Sequence, residues 1–404
     1  MSVSLKNGRR DFLKQATILS ASLAVGTAYA EQDKSKSAAK SKPSKNQYPF
    51  YGQHQAGITT PAQKHIYFMV VDLHTTDLET IKEMFQTWTE YSANLTKGEP
   101  VQPYGTNGYV PPKDTGEAAS LDASHLTLTF GVSPSFFDKL GISKLKPEGF
   151  KDLPHFPRDQ MRAEYTGGDI CIQSCADDPQ VAFHAVHNLV RVARSHITMK
   201  WSQSGFNSFE RQDTPRNLMG FRDGTANLPE GKELDKIVWY QGNGWFKDGS
   251  YLVARRVQMH LETWDRTSLN EQQNTFGRYR PSGAAYGEKH EHDPVDINKT
   301  DAKGKPLMPD DSHVFLAKKA GVPLLRRSFS YASGVDPKTG QFDAGLLFIS
   351  FQNDPESFIK IQNMFGNVDK LNEYITHIGS GLFACFAGVK NKDDYLGKAL
   401  FDAI

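Results

Sequence analysis

Three places in this 404-residue chain hold side chains whose types suit joint chemistry. The first is Asp223, within Asn217-Leu218-Met219-Gly220-Phe221-Arg222-Asp223-Gly224-Thr225-Ala226-Asn227. An Asp-Gly pair ordinarily marks a turn, but this loop is longer than a turn needs and sets Met219 and Phe221 beside the acid. Glycine lets backbone approach a ligand closely, so a flat ligand can lie on Gly224-Thr225-Ala226 with Asp223 above it. The second is His313, which follows Met308-Pro309-Asp310-Asp311-Ser312 and precedes Val314-Phe315-Leu316. The third is Leu324-Leu325-Arg326-Arg327-Ser328-Phe329-Ser330-Tyr331. On a strand Arg326 and Arg327 face opposite ways, so one points into a cavity while the other is solvated. A lone carboxylate moves protons, an imidazole binds metal or accepts a proton, and a guanidinium fixes positive charge.

An Asp, a His and an Arg embedded in apolar sequence fit a haem site, with the His below the iron and the Asp and Arg on the open face. Peroxide chemistry needs this set. A base carries a proton from the near oxygen of bound peroxide to the far one, and a fixed positive charge stabilises the departing hydroxide. The macrocycle stores the oxidising equivalents.

The surrounding pattern tells which elements must hold these groups. His65 to Leu73 reads as a buried strand, and Asp77 to about Leu95 as a helix with Ile81, Met84, Phe85 and Trp88 at helical spacing. Ser124 to Phe130 alternates like a strand, Ser133-Pro134 opens a short helix, Gly168 to Ala176 is a third strand and Asp178 to Ser195 a long helix. A second copy follows: strand Tyr251–Met259, helix Glu262–Phe276, strands Leu324–Tyr331 and Leu346–Phe351, helix Pro355–Phe365, and a closing strand Leu382–Val389. The order is that of an α+β fold of tandem ferredoxin-like (split βαβ) units with antiparallel sheets. Residues 49–210 make the first unit and residues 211–404 the second, which carries the three sites.

Composition bounds the partners. The first 48 residues hold nine Lys and Arg against three acids, so a chain of net charge +1 has a body of −5. A mildly acidic body excludes nucleic acid, which needs a basic face. Arg9-Arg10-Asp11-Phe12-Leu13-Lys14 is a twin-arginine pattern. An apolar run and Ala28-Tyr29-Ala30, a small-x-small cleavage site, follow. The run is too short to span a bilayer comfortably. Residues 1–30 are therefore expected to be a signal peptide that sends the folded protein to the periplasm, and 31–48 a flexible linker. Cys171, Cys175 and Cys385 make an odd count, poor for a disulfide framework. Cys171 and Cys175 on one strand stand roughly 13 Å apart, too far for a bridge, and read as structural thiols. His184 and His187, one helical turn apart, read as core or surface histidines, and His290-Glu291-His292-Asp293 as a solvated loop. Trp239, Trp245 and Trp264 read as packing.

From about Tyr48 to Ile404 the chain resembles the dye-decolourising peroxidases, most of all their exported deferrochelatase/peroxidase branch. Gly220-Phe221-Arg222-Asp223-Gly224 is similar to that family's Gly-x-x-Asp-Gly motif. The resemblance implies Asp223 as distal acid/base, His313 as proximal iron ligand and Arg326, the first of the pair, as distal arginine. It implies haem b, hydrogen peroxide and a bulky aromatic reductant as partners, a homodimer, and association with iron-uptake proteins. It also implies a second activity, release of iron from haem with the ring left intact. Arg326 follows His313 by thirteen positions, a shorter gap than in the branch. Lys318-Lys319 occupies the gap where the branch has an arginine near the propionates, so Lys319 takes that place. The family position of an acid that orients the proximal imidazole falls at Asp369, which on its own reads equally as the N-cap of a helix at Lys370. A non-enzymatic haem carrier or sensor is the alternative. It would use His313 and need no distal acid.

Overall fold

The computed structural model describes residues 46–208 and 214–404. The expected signal peptide, most of the linker and the expected boundary at residue 210 lie outside the described residues. The first unit begins with β1 (His65–Leu73). Its Ile66, Phe68 and Val70 enter one core and its Met69, Val71 and Leu73 another, as a period of two dictates. Then come α1 (Leu78–Leu95), β2 (Thr127–Val132), α2 (Pro134–Lys139), β3 (Ile170–Ala176), α3 (Pro179–Ala193) and β4 (Ile197–Phe206). Asp77 caps α1 by accepting the Thr80 N–H at 3.0 Å. Asp178 caps α3 in the same way through Gln180 at 2.7 Å.

The second unit holds α4 (Lys232–Val238), β5 (Ser250–Met259), α5 (Leu261–Trp264), α6 (Leu269–Phe276), α7 (His313–Ala320), β6 (Leu325–Arg326), β7 (Phe329–Val335), β8 (Phe342–Gln352), α8 (Pro355–Phe365), β9 (Ile375–Cys385) and α9 (Lys398–Phe401). The strand order is β2-β3-β1-β4 in the first unit. In the second, β6 and β7 lie along β8, followed by β5 and β9. Each is the antiparallel order of a ferredoxin-like unit. The two sheets meet at both edges. β2 pairs with β9 through Gly131↔Cys385 and Val132↔Ala384, and β4 with β7 through Phe206↔Ser330. The strands therefore close into a ring, and Phe68, Phe329, Leu347, Phe351 and Phe383 from both units fill its inside.

Several expectations change. β2 starts at Thr127, because Ser124 and His125 sit at φ 45° and 55° and cannot continue a strand. The single helix expected over 262–276 is two, since Ser268 restarts it as the N-cap of α6, accepting Glu271 N–H at 3.3 Å. The strand expected over 324–331 is broken at Arg327-Ser328. The last strand runs Ile375–Cys385 rather than 382–389; its polar start, Thr376-His377, hides it from a hydrophobic pattern. β4 was not expected at all, because it exposes Thr198, Met199, Lys200 and Ser204. The units also share packing. Phe401 on α9 lies 5.8 Å from Phe85 on α1, and Leu396 N–H donates to Thr89 at 3.0 Å. All three cysteines are free and buried. Burial lifts the Cys175 thiol to about 11. Cys171 and Cys385 flank Gly131, whose missing side chain leaves room for both sulfurs. Among the described residues no helix is long and apolar enough to cross a membrane.

Gly345 on β8 faces Val257 on β5, and a Cβ there would collide with the Val257 carbonyl oxygen. Gly345→Ala should cost about 1–3 kcal/mol of stability. Gly105→Ala, in open space without positive φ, should stay within about 0.5 kcal/mol of wild type. Urea midpoints of the two variants test the contrast.

Candidate active site

A cavity of about 510 Å³ opens in the second unit, within the range of small-molecule sites. Its floor comes from β5, β8 and β9; one wall is the 217–227 loop, the other α7 and α8.

The loop is held by its own chemistry. Asn217 Oδ1 accepts Met219 N–H at 3.0 Å and Phe221 N–H at 3.3 Å. Gly220 turns at φ 84°, and the Arg280 guanidinium packs where a Cβ would be. Met219 and Phe221 are thereby driven inward, and Phe221 stacks on Phe276 at 4.2 Å. This anchors the turn and leaves Asp223 at the cavity, its N–H donating to Pro215 C=O at 2.8 Å. Asn227 then clamps the loop to β6. Its Oδ1 accepts Arg326 N–H at 2.8 Å, and its Nδ2 donates to Arg326 C=O at 2.7 Å. Asp223 Oδ1 accepts from Arg326 Nη2, and the Arg326 guanidinium lies 5.5 Å over the Phe348 ring. Arg326 Nε is buried with no hydrogen-bond partner among the described residues. Arg327, expected in solvent, is instead buried and donates to Thr60 C=O, Pro61 C=O and Gln63.

On the opposite wall His313 is the first residue of α7. Its Nδ1 pairs with Asp369 Oδ2 at 2.7 Å, and its ring stacks on Phe365 at 4.4 Å. With a carboxylate at Nδ1, that nitrogen carries the proton and Nε2 keeps its lone pair. Asp369 Oδ1 also accepts Leu371 N–H at 2.9 Å, capping the turn at Lys370. The two readings of Asp369 hold together, one per oxygen.

Asp223, Gly224, Thr225, Ala226, His313, Arg326 and Asp369 therefore line one cavity. Lys318 lines it, but Lys319 does not; its ammonium lies 5.9 Å over the Phe315 ring. Helical phase explains the exchange: His313, Val314, Ala317 and Lys318 fall within about 140° of the helix, and Lys319 lies about 100° beyond Lys318, opposite the centre of that stripe. Sequence reasoning passed over Arg278, Arg255 and His377, which also line the cavity. Arg255 is fully buried against Asp159, and its strand reads as a plain buried run. His184 is buried against Asp114 at 2.9 Å, and no group of three metal-ligating side chains is present among the described residues.

Burial first, then the positive charge of Arg255, presses the His377 pKa from 6.5 down to about 3. The fold thus favours neutral His377. Its contribution is complete above about 6.5 and is lost as pH falls toward about 3. In cofactor-free protein, His377→Phe should flatten the acid limb of the stability profile across that window, read as denaturant midpoints against pH.

Comparison with known proteins agrees with this geometry. The Dyp-type peroxidase N-terminal family model matches residues 55–207, and the C-terminal one residues 214–390. The chain is 36% identical over 412 residues to proteins named deferrochelatase from Shigella boydii serotype 4 and Escherichia coli K12, covering 97% of this chain and 96% of each relative. Ferric DtpA from Streptomyces lividans is 33% identical with a TM-score of 0.82, over 91% of this chain and all of that one. A DyP-type peroxidase from Cellulomonas bogoriensis is 31% identical with a TM-score of 0.81, over 90% of this chain and all of that one. With both family models matched in tandem across both ferredoxin-like units, the chain belongs to the Dyp-type peroxidase family.

Proposed function

We propose that the protein is a haem peroxidase that reduces hydrogen peroxide and oxidises bulky aromatic compounds, and that it also takes iron out of haem with the porphyrin intact. The observation that carries this reading is the pairing of His313 with Asp369 on one wall and of Asp223 with Arg326 on the other. The residues fit haem. His313 Nε2 is left free by the Nδ1 contact, and Asp223 and Arg326 line the same cavity from the other wall. His313 would hold the iron, and Lys318 at the exposed rim would meet the anionic side chains of the macrocycle. Bound there, haem supplies a redox-active iron and a ring that stores oxidising equivalents.

The protein supplies the proton handling. As a carboxylate, Asp223 takes the proton from the near oxygen of peroxide and returns it to the far oxygen, which leaves as water. Arg326 holds positive charge beside the breaking O–O bond, where negative charge develops, and fixes Asp223 by the shared hydrogen bond. Asp369 orients His313 and raises its donor strength. A haem carrier would need His313 alone and would leave the Asp223–Arg326 pair without a task, so the enzyme is the better reading.

Iron release is supported by the 36% identity to the deferrochelatases. Export to the periplasm is supported by the twin-arginine pattern at Arg9-Arg10 and the Ala28-Tyr29-Ala30 site. The family resemblance supports haem b, a homodimer and contact with iron-uptake proteins.

The purified protein should show a strong Soret band that His313→Ala abolishes. Asp223→Ala should keep the band yet slow the reaction of the ferric protein with peroxide by about 10²–10⁴; a wild-type rate in stopped flow would end the proton-shuttle role. Asp369→Asn should raise the iron reduction potential, because a neutral partner draws less negative charge onto the ligand; spectroelectrochemistry measures it. Haem incubated with protein and a ferrous chelator should yield fluorescent metal-free porphyrin if iron is removed intact.

A further inference from the structure

The segment between α6 and α7, residues 277–312, starts beside Phe276 and ends at His313. On the way it is tied to the opposite wall. Arg216 donates to Arg280 C=O at 2.8 Å and to Pro281 C=O at 3.1 Å. Arg278 closes the segment's base by donating to Gly283 C=O at 2.7 Å and Glu291 C=O at 3.2 Å. The centre of the attachment is the Glu291 carboxylate. Oε1 accepts the Thr225 hydroxyl at 2.9 Å. Oε2 lies 3.6 Å from Arg222 Nε. The Thr214 hydroxyl is a second hydrogen-bond donor. Burial alone would raise the Glu291 pKa, but the two hydroxyls and the Arg222 charge outweigh it and hold the group ionised below the usual range.

These two hydroxyls and one guanidinium surround one residue. Arg222 immediately precedes Asp223, Thr225 follows two places later, and Thr214 is next to Pro215, whose carbonyl accepts the Asp223 N–H. We propose that Glu291 is a positioning residue for the distal acid, holding the backbone on both sides of Asp223 so that its carboxylate stays over the cavity. The inference rests on Asp223 acting as the proton shuttle. It also links the walls, because the segment that places His313 is the one that fixes Asp223.

The charge and the hydrogen bonds are separable. In Glu291→Gln the amide oxygen still accepts from Thr225 but the charge facing Arg222 is gone; in Glu291→Ala both are lost. Amide hydrogen exchange at Asp223, measured without haem, reads the position directly and does not depend on catalysis. Glu291→Ala should speed that exchange about tenfold or more, with Glu291→Gln within about threefold of wild type. In the haem-loaded protein the peroxide rate should fall about tenfold in Glu291→Ala, with the KM for the dye unchanged and recovery in Glu291→Gln. Exchange at Asp223 within about twofold of wild type in Glu291→Ala, or equal losses in both variants, would overturn the assignment. Failure of the shuttle itself would show separately, as a wild-type peroxide rate in Asp223→Ala.

Discussion

A two-point clamp by a single amide sets the geometry of the whole site. Asp223 and Arg326 are 103 residues apart in sequence. Their charges alone would not hold them, since ion pairs near solvent contribute little and cost side-chain freedom. Asn227 makes to Arg326 the two hydrogen bonds that a neighbouring strand would make. The loop is thus read into the edge of the sheet, and the carboxylate and guanidinium meet because their backbones are already in register. Asp369 works alike on the other wall, its two oxygens shared between a main-chain N–H and an imidazole. In both places a short polar side chain stands in for backbone, which gives precision on loops that no ladder reaches.

The break between β6 and β7 belongs to the same arrangement. An unbroken strand would alternate Arg326 and Arg327 across the sheet and stop there. Instead Arg327 N–H still bonds Ile349 C=O at 2.8 Å, while its guanidinium is taken up by carbonyls of the first unit. One arginine binds the two units together and its neighbour faces the cavity. A charge buried in this way needs several acceptors, which the 60–63 segment supplies.

How much of this was legible in the sequence varied with the physics involved. β1, α1 and α8 lie within a residue or so of the expected positions, because their apolar spacing and Asp or Pro caps are local. Asp223, His313 and Arg326 stood out through motif spacing. β4 and the start of β9 were hidden, because their polar residues face solvent or the cavity rather than a core. Lys319 was preferred to Lys318 because no helix was read over 313–320, so its phase could not be applied. Glu291 could not have been found: its loop is rich in charge, and only the fold shows which carboxylate turns inward.

The cysteines carry a last implication. Cys171 and Cys385 lie on strands that sandwich β2, so the β2 backbone separates their main chains by two strand spacings, roughly 10 Å. That is beyond the reach of a bridge. With Cys175 also free, none of the three cysteines adds a crosslink to the fold. Folding asks for no thiol oxidant or disulfide isomerase, so the fold does not depend on which side of a redox boundary it forms.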